Sequence, residues 1–176
     1  MGRRWWVLAG ILLVAVAVAV LLAVAPRSQA TSPGEIVAAY DAALRDGDPV
    51  YARAADLGFD PASMRFIGET DGRSFWVGRD DHAQACFVVL IEETELGGGS
   101  CASIAILQES GLTLAVDGFG DSIVVHLVPD DVDIEAAPAA WTVIGDNILV
   151  AEAEDLAGSQ TLTLPRDGGA GFVVRN

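Results

Sequence analysis

Ser100, His82 and His126 are the residues of this chain whose types could carry out hydrolysis. That chemistry needs a nucleophile, a general base and a group that orients the base. Ser100 lies in the run GGSCA, which lacks the final glycine of the G-x-S-x-G nucleophile turn. His126 alternates with Val125 and Leu127 as in a strand, and His82 lies in the turn-like run DDHAQ. The pattern defines no triad, so we expect no catalytic residue.

Four acidic residues within six positions could offer oxygen ligands to calcium. They are Asp130, Asp131, Asp133 and Glu135. An EF-hand loop needs glycine at its sixth position and a bidentate glutamate at its twelfth. Counted from Asp131, those positions hold Ala136 and Thr142. An irregular calcium site at these four residues stays open as a hypothesis, and a solvated acidic connector is the simpler interpretation.

Cys86 and Cys101 are predicted to form a disulfide, because both follow a segment that directs the chain out of the cytoplasm. Closing a loop of about 15 residues would stabilise the fold by about 3 kcal/mol. A zinc site is the rival interpretation, but two thiols need further ligands and the chain has only two histidines. We therefore expect neither a metal nor another cofactor.

Phe75 and Trp76 are adjacent in a strand-like segment, and they are the candidate binding surface of the chain. Because side chains alternate along a strand, one of the two must face away from the core. An exposed aromatic side chain on a sheet can anchor a partner. The alternative is that a second layer of structure covers this face.

Two short helices are predicted to precede the strands. Ser32 can cap the first helix, with Pro33 at its first position and Glu35 completing a capping box. The spacing of Ile36, Val37, Tyr40 and Leu44 then gives one apolar face, and Gly47 ends the helix. Asp48-Pro49 indicates a second helix over about residues 49–56.

The remainder of the chain is predicted to be mainly antiparallel β-sheet. Asp71-Gly72 indicates a hairpin between RFIGE and SFWVG, and residues 85–92 form a buried strand. The glycine-rich run EETELGGGS is expected to be a mobile loop, and residues 103–110 favour a short helix. Three further hairpins follow, centred on DGFGD, Asp146-Asn147 and RDGG. The expected fold class is α+β, with two helices packed on seven to nine strands and one disulfide.

Residues 5–25 form an uncharged apolar run directly after Arg3 and Arg4. Such a run has the length of a helix that crosses a bilayer of about 30 Å. Arginines before the run place the N-terminus in the cytoplasm. We therefore expect a cytoplasmic tip at 1–4, a transmembrane signal-anchor at 5–25, a linker at 26–32 and an extracytoplasmic domain at 33–176. The alternative is a secreted protein cleaved after Ala30.

The part of the chain after residue 30 is strongly acidic. Seven arginines face 25 acidic residues there, for a formal charge of −18, and the whole chain contains no lysine. Nucleic acid is therefore an unfavourable partner, since phosphate binding needs clustered cations. The expected function is a non-enzymatic domain, held on the lipid bilayer by residues 5–25, that binds or supports another membrane or envelope protein. The alternatives are an envelope hydrolase that uses His126 and acidic residues, and a module that binds calcium or a small molecule.

Overall fold

The described residues of a computed structural model of this chain are 32–43, 58–91, 96–118, 121–156 and 161–175. By its contacts the chain divides into two compact units, Met1–Ala30 and Thr31–Asn176, and the first unit lies outside the described residues.

Antiparallel strands dominate the described residues, at 50% strand against 17% helical residues. The strands are β1 (Arg65–Thr70), β2 (Arg73–Arg79), β3 (Ala85–Ile91), β4 (Leu96–Ala102), β5 (Leu112–Gly118), β6 (Asp121–Leu127), β7 (Thr142–Ile144), β8 (Ile148–Glu152), β9 (Thr161–Leu164) and β10 (Phe172–Arg175). The described residues contain one α-helix, α1 (Ile104–Ser110), and short 3₁₀ turns at Pro33–Glu35, Ala38–Asp41, Pro61–Ser63 and Ile134–Ala136.

The strands form two four-stranded sheets and one separate hairpin. The first sheet has the order β1-β2-β3-β4, the second has the order β5-β6-β8-β7, and β9 pairs with β10. Tight turns join several of the strands that are neighbours in these sheets. Asp71 and Gly72 have φ values of 48° and 69°, which is the left-handed geometry that a two-residue hairpin turn requires.

The two sheets share one hydrophobic core, because alternate residues of their central strands face each other. Phe75 and Val77 of β2 belong to this core together with Val125 of β6 and Ile148 of β8. Trp76 points the other way and is buried in an outer cluster with Met64 and other side chains. A second outer cluster covers the far face of the second sheet and includes residues of the β9–β10 hairpin.

The edges of the two sheets lie beside each other, since β4 runs alongside β5 and β1 runs alongside β7. Close approach at the second edge depends on Gly68. A Cβ atom there would lie 2.6 Å from Cγ2 of Ile144, which no side chain tolerates without a shift. Gly68 also follows an irregularity in β1, because the register between β1 and β2 shifts between Phe66 and Gly68.

The predicted α+β class is wrong, and the fold is mainly antiparallel β. The expected first helix is two 3₁₀ turns instead, and Ser32 makes no capping hydrogen bond with its side chain. Asp130 explains the difference, because its backbone N–H donates to Ile36 O and its Oδ2 accepts from Ala38 N. Those backbone groups would otherwise serve a helix. The predicted second helix at 49–56 lies outside the described residues.

The expected loop EETELGGGS is also wrong in its second half, because Leu96–Ala102 is strand β4. Residues 92–95 lie outside the described residues. None of the described helices combines the length and the apolar character needed to span a bilayer. The predicted span at residues 5–25 lies outside the part of the chain that the structure describes.

The local turn signals are confirmed. The Asp71-Gly72 hairpin, the buried strand β3 and the three later hairpins form as expected. Helix α1 is confirmed as well, with Ser103 Oγ accepting from Ile106 N and Gly111 at the C-terminal end with φ +66°. The predicted disulfide joins Cys86 to Cys101, which are directly paired on β3 and β4.

Candidate binding groove

An open groove of about 600 Å³ lies between the 3₁₀ turn Ala38–Asp41, the start of β1 and the turn that joins β7 to β8. This size falls within the range of about 300–1,000 Å³ that is usual for ligand sites. Its lining comprises Ala38, Ala39, Ala42, Ala43, Arg65, Phe66, Ile67, Asp130, Gly145, Asp146 and Asn147. We call these eleven residues the groove.

One wall of the groove consists of four alanines, and the neighbouring residues anchor that wall. Ile36, Val37 and Tyr40 are buried in the central core. The hydroxyl of Tyr40 donates to the backbone oxygen of Cys86 at 2.9 Å. Burial raises the pKa of Tyr40 well above its ordinary value, and the nearby Arg79 guanidinium opposes this only in part. A neutral, buried phenol therefore holds the alanine wall against β3.

Arg65 stands at the other side of the groove and is held by backbone oxygens. Its Nε donates to Ala42 O at 2.6 Å. Its Nη1 donates to Ala62 O at 2.8 Å and to Met64 O at 2.9 Å. The guanidinium thus ties the alanine wall to β1, and much of its donor capacity is used within the protein.

Asp130 and Asn147 form the polar end of the groove. Asn147 is buried, and its Nδ2 donates to Asp130 Oδ1 at 2.7 Å and to Val128 O at 3.0 Å. Asp130 Oδ2 accepts from Ala38 N at 2.9 Å. These bonds orient the carboxylate of Asp130 while leaving the residue exposed to solvent.

The groove carries two carboxylates and one guanidinium. Asp146 is exposed and makes no hydrogen bond or ion pair with other described residues. Together with Asp130, which lines the same groove, Asp146 offers acceptors to a cation. The floor residues Phe66 and Ile67 are partly buried, and Phe66 packs edge-on against Trp76 with the ring centres 5.2 Å apart. The groove therefore suits a group with an apolar body and a positive end.

Phe75 and Trp76, the predicted binding surface, are both buried. Phe75 has 0% exposure in the central core, and Trp76 has 2% exposure in the outer cluster with Phe59 and Met64. The indole Nε1 of Trp76 has no hydrogen-bond partner in the described structure. The structure thus places Trp76 behind Phe66, and Phe66 is the aromatic side chain that reaches the groove.

The four acidic residues proposed for calcium do not gather their carboxylates in one place. Asp130 belongs to the groove, whereas Asp131 Oδ2 accepts from Arg166 Nε at 2.8 Å. The other oxygen of Asp131 is buried and has no hydrogen-bond partner in the described structure. Asp133 and Glu135 are exposed. Among the described residues, the metal-competent groups all contain Asp80 instead.

His126 is buried between two other side chains. Its Nδ1 lies 2.8 Å from Thr113 Oγ1, and its ring centre lies 5.4 Å from that of Trp141. With 2% exposure the imidazole has little access to solvent. Ser100 lies on β4, and His82 lies in the turn between β2 and β3. Neither the register nor a hydrogen bond joins Ser100 to a histidine in the described part of the chain.

Sequence reasoning did not find the groove. It treated Asp146-Asn147 only as a turn, and it assigned Asp130 to a calcium hypothesis. The one signal available was the concentration of small residues at 38–43 next to a buried tyrosine. Comparison of the chain with family models, with curated proteins and with solved structures finds no match.

Proposed function

We propose that this chain is a non-enzymatic, extracytoplasmic binding domain whose groove takes a basic, extended segment of another envelope protein. Residues 5–25, which lie outside the described structure, are the sequence-based reason for placing the domain outside the cytoplasm. The observation that supports binding is the exposed pair Asp130 and Asp146 beside the apolar floor of the groove.

A basic side chain fits the groove better than an acidic one. Arg65 already donates to three backbone oxygens, whereas Asp146 has no partner among the described residues. The carboxylates can accept charge-assisted hydrogen bonds from a guanidinium or an ammonium group. The formal charge of −18 after residue 30 also favours the approach of a cationic segment and disfavours an anionic one.

An apolar neighbour of that basic residue would lie on the floor and the alanine wall. Alanine methyl groups leave space that larger side chains would fill, and Phe66 and Ile67 give the floor its apolar surface. Burial of apolar area stabilises a complex by roughly 25 cal/mol per Å² before the cost of ordering the partner is subtracted. The proposed occupant is thus a segment with one Lys or Arg next to an aliphatic residue.

Site-specific photo-crosslinking in intact cells tests this proposal. The chain has no lysine, so reagents that join amines would label it poorly. A photoreactive amino acid in place of Ala42, which is exposed on the groove wall, should capture one envelope protein. The matched control carries the same amino acid in place of Glu109, an exposed residue of α1 that does not line the groove.

The charge of the groove supplies the decisive comparison. Asp146→Arg should reduce capture from the Ala42 position by about tenfold, since it replaces an attraction with a repulsion. A synthetic peptide from the captured region should bind the purified full chain, and replacement of its basic residue by Glu should abolish binding. Equal capture from both positions, or capture that Asp146→Arg does not change, would show that the groove is not the binding site.

A further inference from the structure

The turn after β2 places a carboxylate beside the disulfide. Asp80 directly follows β2 and forms an isolated bridge with Phe59. The ligand atoms of Asp80, Cys86 and Cys101 all lie within 4.8 Å of one another. The ligand atoms of Asp80, Asp81 and His82 lie equally close together. Asp80 is therefore shared by a sulfur-containing group and a histidine-containing group.

The backbone of the turn fixes the orientation of Asp80. Its Oδ1 accepts from His82 N at 3.0 Å and from Gln84 N at 2.7 Å. Its Oδ2 accepts no hydrogen bond from the described residues, and it lies 3.8 Å from His82 Nδ1. The side chain of Asp80 is only 13% exposed. Hydrogen bonds that hold one oxygen and leave the other available are typical of carboxylates that bind metals.

We propose that these side chains hold a zinc ion when the disulfide is reduced. The ligands are Asp80, His82, Cys86 and Cys101, called below the Asp80 cluster. Zinc prefers four ligands of thiolate, imidazole and carboxylate type in a tetrahedral arrangement. Ligands at about 2.0–2.3 Å from the ion stand about 3.3–3.8 Å apart. Asp80 and the two sulfurs lie within 4.8 Å of one another, so side-chain rotations suffice for these three to converge. His82 lies that close to Asp80 but contacts Asp81 through its Nδ1, so its exposed side chain must turn from Asp81 toward the sulfurs to complete the set.

The disulfide controls this site because a sulfur bonded to sulfur is not a thiolate. A dithiol reductant attacks the disulfide, the bond between Cys86 and Cys101 breaks, and the reductant becomes a disulfide. Two electrons and two protons pass to the protein, which leaves two thiols. Zinc binding then releases those two protons as both sulfurs bind in the thiolate form. Oxidation therefore closes the site, and reduction opens it.

The cluster is accessible from one side. Cys86 is fully buried, but Cys101 is partly exposed and the side chain of His82 is 78% exposed. The cysteines are paired positions on adjacent strands, with Cα atoms 4.0 Å apart. Pairing of β3 with β4 over seven residue pairs keeps both sulfurs near Asp80 after the bond is broken. The carboxylate of Asp80 supplies the ligand that the histidines and cysteines of the chain cannot.

Cobalt titration of the full chain in a non-ionic detergent tests the proposal. Co²⁺ takes the place of zinc and absorbs strongly when thiolates bind it. After reduction with dithiothreitol and removal of the reductant under argon, the protein should bind one equivalent of Co²⁺ with a thiolate-to-cobalt absorption band. The oxidised protein should show no such band. Addition of Zn²⁺ should displace the cobalt and remove the band.

Two variants and a folding control complete the test. Asp80→Asn should weaken cobalt binding about tenfold or more, whereas Asp133→Asn, at an exposed carboxylate outside the cluster, should leave it unchanged. Zn²⁺ should raise the melting temperature of the reduced protein and leave that of the oxidised protein unchanged. If reduction alone unfolds the protein, Zn²⁺ should restore a thermal unfolding transition. A reduced protein without the cobalt band, or equal affinities for Asp80→Asn and Asp133→Asn, would overturn the proposal.

Discussion

Tyr40 should make the stability of this domain fall at alkaline pH. The side chain is 4% exposed, and its hydroxyl donates to Cys86 O at 2.9 Å. Because burial disfavours the phenolate, the pKa of Tyr40 is raised well above the ordinary tyrosine value of about 10. The proton thus stays on the folded protein at pH values where the unfolded chain has released it.

The direction of the effect follows from this difference in bound protons. Above about pH 10 the unfolded state binds fewer protons at this position than the folded state does, so the free energy of unfolding decreases as the pH rises. The contribution of Tyr40 is complete below that pH. Its loss approaches about 1.4 kcal/mol per pH unit, and it amounts to about 1.4 kcal/mol by pH 11.

Few other side chains of this protein titrate between pH 8 and pH 11. It contains no lysine, its two cysteines are joined in the disulfide, and Tyr51 is the other tyrosine. Tyr40→Phe removes the titrating group but keeps the ring. At pH 8 we expect this variant to be about 1–2 kcal/mol less stable than the wild type, because Cys86 O loses its buried donor. That gap should close by about 1.4 kcal/mol at pH 11.

Urea unfolding followed by tryptophan fluorescence at pH 8, 10 and 11 measures both proteins. The absorbance of tyrosinate gives an independent check, since Tyr40→Phe should leave the amount of tyrosinate formed by the folded protein up to pH 11 unchanged. A gap that stays constant from pH 8 to pH 11 would mean that Tyr40 ionises normally in the folded state. In that case burial does not hold the proton on Tyr40, and a neutral phenol does not anchor the alanine wall.

Three further substitutions probe the fold by urea unfolding. Gly111→Ala should lower the free energy of unfolding by at least about 1 kcal/mol more than Gly168→Ala does. Both glycines have a positive φ, which strains alanine by roughly 1–2 kcal/mol. Only at Gly111 would the added Cβ also lie 2.3 Å from a backbone oxygen. Equal costs would contradict the close approach. Asn147→Asp should lower the free energy of unfolding more than Asn147→Ala does at pH 7, because the new carboxylate would face the carboxylate of Asp130 and the carbonyl oxygen of Val128. The difference between the two variants should shrink at pH 4, where carboxylates begin to take up protons. A difference that is independent of pH would argue against this contact. Replacing Cys86 and Cys101 together by Ala should lower the free energy of unfolding by about 3 kcal/mol, and a loss below about 1 kcal/mol would show that loop closure contributes little.

Local signals predicted the hairpins, because a tight turn depends on two or three adjacent residues. Asp71-Gly72 and Asp146-Asn147 are examples, and both join strands as expected. The prediction of a loop around Gly98 was wrong because the composition of this segment, rich in glycine, disfavours the strand that it forms. Its conformation is set by pairing with β3 and by the disulfide. A Cβ on Gly98 would lie 3.3 Å from Leu114, so the missing side chain serves the packing of β4.

The N-terminal segment shows how distant residues can override a local pattern. Ile36, Val37 and Tyr40 have the spacing of a helix face, and all three are buried. Asp130, more than 90 residues later, takes the backbone groups that a helix would have used. The groove could not be predicted for the same reason, since Asp130 and Asn147 reach the alanine wall only through tertiary folding. The disulfide could be predicted because the sequence contains two cysteines and an N-terminal segment that predicts export.

The side-by-side arrangement of β4 with β5 and of β1 with β7 also bears on aggregation. A strand with a free edge is a template onto which another chain can add a strand. Here the edge strands of each four-stranded sheet lie next to those of the other sheet, so in the described residues the β9–β10 hairpin is the main exception. Contact between these edges leaves less room for a strand of another chain to add to either four-stranded sheet.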